Sequence, residues 1–63
     1  MRSFQVTGMT CAHCERAVTQ AIKARESGAV VQVDLERGIV EVEGELSEQA
    51  IREAIEEEGY KVA

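Results

Sequence analysis

Two cysteines with two residues between them, Cys11-Ala12-His13-Cys14, are the side chains of this 63-residue sequence best suited to chemistry. At the start of a helix that spacing brings both sulfurs to one point. Free backbone N–H groups and the positive end of the helix dipole sit there too, and both favour thiolate over thiol. Such a pair can cycle with a disulfide or hold a soft metal ion, and the spacing alone leaves both chemistries open. Haem attachment is excluded, because it needs His after the second cysteine. Here Glu15 follows Cys14, and His13 precedes it.

Ligand counting narrows the ion. Structural zinc takes four ligands, usually Cys and His. Besides the thioether of Met9, the loop offers two cysteines and one histidine. Thiolates select soft ions. Cu(I), satisfied by two sulfurs in a line, is the expected cargo, and Ag(I) and Hg(II) would share the site. An incomplete shell leaves the ion open to an incoming thiolate, which suits a carrier rather than a store. His13 is expected beside the pair as an exposed group that tunes the thiolates. Met9 is expected to anchor the loop by apolar packing rather than to bind metal. Thr10 offers a hydroxyl to cap the helix that follows. Tyr60 has two readings, as core filling or as a ring folded over the loop.

Composition bounds the rest. A chain of 63 residues reads as one domain, and its small core leaves a thin stability margin. The net charge is −5, unevenly placed: four bases face two acids in residues 1–31, and ten acids face three bases in 32–63. The acidic half offers no broad footprint for nucleic acid; it is a solvated surface or a means of steering a protein partner. No apolar run approaches the length of a membrane span, so no membrane insertion is expected. Residues 1–7 do not read as a secretory signal, which makes the cytoplasm the expected location. In a reducing compartment a cysteine pair is more often metal-binding or redox-active than a structural disulfide.

Periodicity supplies the elements that must hold the loop. Arg2 to Thr7 alternates as a half-buried strand, and Gly8 breaks it. Residues 12–25 place Cys14, Ala17, Val18, Ala21 and Ile22 on one helical face, ended by Gly28. Ala29 to Leu35 and Ile39 to Glu43 form a hairpin through Glu36-Arg37-Gly38. Val40 and Val42 face inward, while Gln32, Asp34, Glu41 and Glu43 face water. Ser47 caps a helix over about 48–58 that buries Ile51, Ala54 and Ile55. Gly59 stops it, and Tyr60 to Ala63 adds a last strand. The order βαββαβ predicts an α+β, ferredoxin-like sandwich, a four-stranded antiparallel sheet with two helices on one face.

Gly8-Met9-Thr10-Cys11-Ala12-His13-Cys14 resembles the signature Gly-Met-x-Cys-x-x-Cys of the heavy-metal-associated domain family. The likeness runs through Glu57-Glu58-Gly59-Tyr60, where tyrosine looks like the bacterial type and eukaryotic chaperones have lysine. Within the family the chain is most similar to the free-standing copper chaperones of the CopZ type. The resemblance implies metal-binding roles for Cys11 and Cys14, a packing role for Met9 and a site-adjacent role for Tyr60. It also implies transfer of Cu(I) by ligand exchange to the metal-binding domains of a copper-transporting P-type ATPase. Cys11 would move first, and Arg16 and Lys23 would offset the charge of the complex. No substrate bond breaks, so no enzyme is expected. Two copies could share copper as a bridged homodimer.

Four rivals remain. The sequence could be a domain of such an ATPase, although its span leads to the expectation of a free-standing protein. It could be a mercury carrier, but those are usually exported. It could be a thiol-disulfide oxidoreductase, but thioredoxin-like enzymes use a cis-proline and the chain has no proline. A regulatory interaction module would leave the cysteines incidental.

Overall fold

β-Branched residues in alternation and the Ser47 cap of the second helix account for much of the architecture. A computed structural model describes residues 2–63. The order is β1 (Arg2–Thr7), α1 (Ala12–Arg25), β2 (Val30–Asp34), β3 (Ile39–Glu43), α2 (Glu48–Glu57) and β4 (Lys61–Val62). This is the expected βαββαβ arrangement. Among the described residues the strands form one sheet in the order β2-β3-β1-β4, with every neighbouring pair antiparallel. Phe4 sits opposite Val40, Val31 opposite Val42, and Val6 opposite Val62.

The apolar faces meet in one core. Val18, Ile22, Val40, Ala54 and Ile55 are fully buried, with Phe4, Val6, Met9, Ala29, Val42 and Ile51 nearly so. Burying one such aliphatic side chain contributes about 1.5–3 kcal/mol. No polar or charged residue is buried among the described residues. Gln32, Asp34 and Glu43 are exposed on the outer face, and Glu41 is half-buried. Cys14, Ala17 and Ala21, expected on the inner face of α1, lie at the core's margin.

Two joints fix the frame. In the β2–β3 turn, Gly38 has φ +68°, and a Cβ there would lie 2.8 Å from the Val6 carbonyl oxygen. Glycine lets the turn approach β1 closely enough for Val6 N–H to donate to the Gly38 carbonyl at 2.7 Å. At the far end of α1, both Glu26 carboxylate oxygens accept from Glu45 N–H, at 2.9 and 3.0 Å. That link ties the end of α1 to the approach to α2. Arg25 also reaches across to α2, pairing with Glu53 at 3.5 Å and Glu57 at 3.0 Å. Such exposed pairs are each worth about 0–1 kcal/mol.

Ser47 accepts from Ala50 N–H at 3.1 Å, the expected cap of α2. Ser47→Ala leaves that donor without its partner and is expected to lower stability by about 1 kcal/mol. A lowered thermal midpoint with an unchanged spectrum checks this.

Candidate metal centre

The expected helix start differs in one detail. Cys11, not Thr10, is the N-cap residue of α1, with extended backbone angles (φ −157°, ψ 172°), and no side chain caps the helix. The Cys11 carbonyl accepts from Cys14 N–H at 3.0 Å and from Glu15 N–H at 3.3 Å. The expected hydroxyl cap from Thr10 fails because Thr10 lies one residue too early. The helix dipole and its unpaired N–H groups are left free for an anion.

Cys11 is exposed, Cys14 is half-buried, and both are free thiols. Their sulfurs are 3.8 Å apart, far beyond a disulfide bond of about 2.05 Å. With metal–sulfur bonds of about 2.3 Å, both sulfurs reach one ion; a straight S–metal–S unit spans about 4.6 Å. From the 3.8 Å seen here, the side chains need to part by under about 1 Å to hold an ion in a line.

The environment of Cys14 is built for negative charge. Its pKa is lowered from the ordinary 9.0 to about 7, chiefly by the Tyr60 hydroxyl and next by the backbone amide of Thr10, with smaller help from Cys11. Burial opposes the shift. The phenol shows the reciprocal effect, raised from 10.0 to about 12 mainly by Cys14 and by desolvation. The phenol–thiolate contact is looser than a well-aligned hydrogen bond; the partner that meets that standard for Cys14 Sγ is Cys11 Sγ. Thr10 therefore acts on the site through its amide rather than through its hydroxyl.

The sheet puts Tyr60 there. Val6 pairs with Val62 and Thr7 with Lys61, so the next step places Gly8 across from Tyr60. The tyrosine Cδ1 lies 3.3 Å from where a Gly8 Cβ would be, and Gly8 has φ +99°. A bare backbone in the left-handed region is what lets the ring pass over the loop. This use of Gly8 was missed in the sequence, where glycine read as a strand breaker; the strand pairing was the signal that could have found it. Both expected placements of Tyr60 meet in one position: the ring lies against the backbone of Gly8 and also packs against the core.

Met9 is 6% exposed and belongs to the core cluster, so it pins the loop from below. His13 is exposed, and its ring takes part in no hydrogen bond or ion pair among the described residues. The structure does not bring it to the sulfurs. No group of three His, Cys, Asp or Glu side chains is gathered as a metal site among the described residues. Arg16 and Lys23 are exposed on α1.

Residues 3–61 match the profile of the heavy-metal-associated domain. The chain belongs to the heavy-metal-associated domain family. A copper chaperone CopZ from Bacillus subtilis (strain 168) is 38% identical over 65 residues, covering 98% of this chain and 94% of that protein. A copper-transporting ATPase 2 from Rhizobium meliloti (strain 1021) is 43% identical over 60 residues, which span 92% of this chain but 7% of the ATPase. Among solved structures, the Cu2 form of copper chaperone Atx1 from Synechocystis PCC6803 superposes with a TM-score of 0.97 at 33% identity, covering 100% of both chains. No helix of this heavy-metal-associated domain is long and apolar enough to cross a membrane among the described residues.

Replacing Tyr60 with Phe removes the largest influence on the Cys14 thiol. Its pKa is expected to rise from about 7 toward 9.0, read from the pH dependence of thiolate absorbance and of alkylation in the reduced, metal-free protein. The sign for stability follows. A folded-state pKa below the unfolded one adds stability that is complete above 9.0 and lost as pH falls through about 7. Denaturant midpoints of the reduced protein should therefore rise across that window, and Tyr60→Phe should flatten the rise. Gly8→Ala, which strains the backbone and pushes the ring away, should raise the thiol pKa in the same direction.

Proposed function

We propose that the protein is a copper(I) chaperone that holds one ion between the thiolates of Cys11 and Cys14. The observation that carries this reading is the pair of free sulfurs 3.8 Å apart at an uncapped helix start. The likeness to CopZ and Atx1, both named as copper chaperones, supports the choice of metal. Two thiolates on one Cu(I) carry a net charge of −1. The free N–H groups and dipole of α1 offset that charge, and so do the exposed cations Arg16 and Lys23.

Transfer follows from the asymmetry of the pair. Cys14 is held beneath Tyr60, whereas Cys11 stands in solvent. An incoming thiolate meets the Cys11 side of the ion, makes a third bond there, and Cys11 then releases. Cys14 is the last ligand to let go. The segment of a copper-transporting ATPase that resembles this chain over 92% of its length fits the recipient, since the same fold would present a like pair of sulfurs. Binding and ligand exchange are the whole of the activity, performed in the cytoplasm. Tyr60 tunes the pair, Met9 anchors the loop, and His13 stands outside the coordination shell.

Anaerobic titration of the reduced protein with Cu(I) against a competing chelator, repeated with Zn(II), tests the reading. The expected result is one tightly held Cu(I) and far weaker Zn(II). Tight Zn(II) with indifferent Cu(I) would move the protein to zinc handling. No stable metal binding would leave thiol-disulfide chemistry as the use of the pair. Cys11→Ser and Cys14→Ser are each expected to weaken Cu(I) binding by at least about a hundredfold, the upper end of what losing even an outer partner of a ligand costs. Replacing His13 with Ala is expected to leave the stoichiometry at one.

A further inference from the structure

The sheet has two free edges of different character. β4 has two residues, one of them Lys61, whereas β2 presents the five residues Val30–Asp34. Short edges and lysines discourage the addition of another strand. β2 has neither protection, nor proline, glycine or bulge, and at its start Val30 is 48% exposed, a large apolar side chain standing in solvent. Beside β2 runs an open groove of about 540 Å³, lined by Gln32 to Glu36 with Glu15 of α1 and Glu41 of β3. Glu41 lies on the outer face of the sheet and Glu15 on the helix side, so the groove wraps the edge from both faces.

Charge selects the occupant. All four ionisable side chains in the lining, Glu15, Asp34, Glu36 and Glu41, are acids. Asp34 accepts from Arg37 N–H at 3.1 Å and Glu41 from the Ser3 hydroxyl at 3.4 Å, and none of the four is in an ion pair among the described residues. Arg16 and Arg37, each next in sequence to a lining acid, do not line the groove. A second copy of the chain would bring its own acids against these. We propose that the edge of β2 docks an extended, lysine- or arginine-bearing segment of a partner protein as a fifth strand. Backbone bonds to the open edge supply the pairing, and alternate basic side chains meet the acids flanking it. This surface is separate from the two sulfurs and does not depend on the metal they carry.

The probe is a short synthetic peptide of alternating lysine and valine, without cysteine, histidine or methionine, added to the reduced, metal-free protein. Amide NMR shifts are expected to saturate and to concentrate on residues 30–36, Glu15 and Glu41, with slowed hydrogen exchange along β2. Glu36→Gln combined with Glu41→Gln should weaken binding by about threefold or more, as for two exposed ion pairs, with the remaining spectrum unchanged. A version of the same peptide with every backbone amide N-methylated cannot donate ladder bonds and should not bind.

Three results would overturn the proposal. One is a shift pattern centred on α2, where Glu48, Glu53, Glu56 and Glu57 make a second acidic surface, partly paired with Arg25 and Arg52. Another is equal binding of the N-methylated peptide, which would reduce the effect to charge alone. The third is sedimentation showing that the protein already dimerises through β2 without peptide, which would make a second copy the occupant.

Discussion

A thiolate near the surface of a small protein needs something to keep it charged, and here the partner is a phenol. The contact between Tyr60 and Cys14 lowers one pKa and raises the other, so the proton stays on oxygen while the thiol begins to lose its own near neutral pH. Much of the architecture serves this contact. Pairing of β1 with β4 sets Tyr60 opposite Gly8, the missing side chain of Gly8 gives the ring its path, and buried Met9 holds the loop at the height where Cys14 meets the ring.

The metal loop is tied to the core through Met9, and the frame holds the rest. Its apolar core closes without any buried polar group, so little burial is lost to desolvation. The connections at the other end of α1 are polar and exposed: Glu26 to Glu45, and Arg25 to Glu53 and Glu57. Each is weak alone. Together they join the end of α1 to α2, whose own end leads through Gly59 to Tyr60. The chain that positions the phenol therefore passes through the helix pair as well as through the sheet.

Much of this was legible in the sequence. Alternation gave the strands to within about a residue, and Ser47 announced the start of α2 by the chemistry of caps. Ile51, Ala54 and Ile55 read as the buried stripe of that helix and are buried. The signature from Gly8 to Cys14 located the loop. Three things were not legible, each for a reason of geometry. Thr10 looked like a cap because its side chain is of the right type, but the helix begins one residue later and the cap position falls to Cys11. Gly8 looked like a breaker because its partner across the sheet lies more than fifty positions away. Glu26 carried no local pattern, since its carboxylate is used by a backbone amide on another loop.

The absence of buried polar side chains has a meaning for the history of such a domain. Nothing in the interior is committed to the loop's chemistry except Met9 and the ring of Tyr60, so substitutions that repack the core and substitutions that retune the loop are largely independent. A lineage can change which ion it prefers through a handful of surface positions while the sheet beneath stays the same, and it can drift in the sheet without losing its ion. Divergence of the core at constant function, and divergence of metal preference at constant fold, are both open to a scaffold organised in this way.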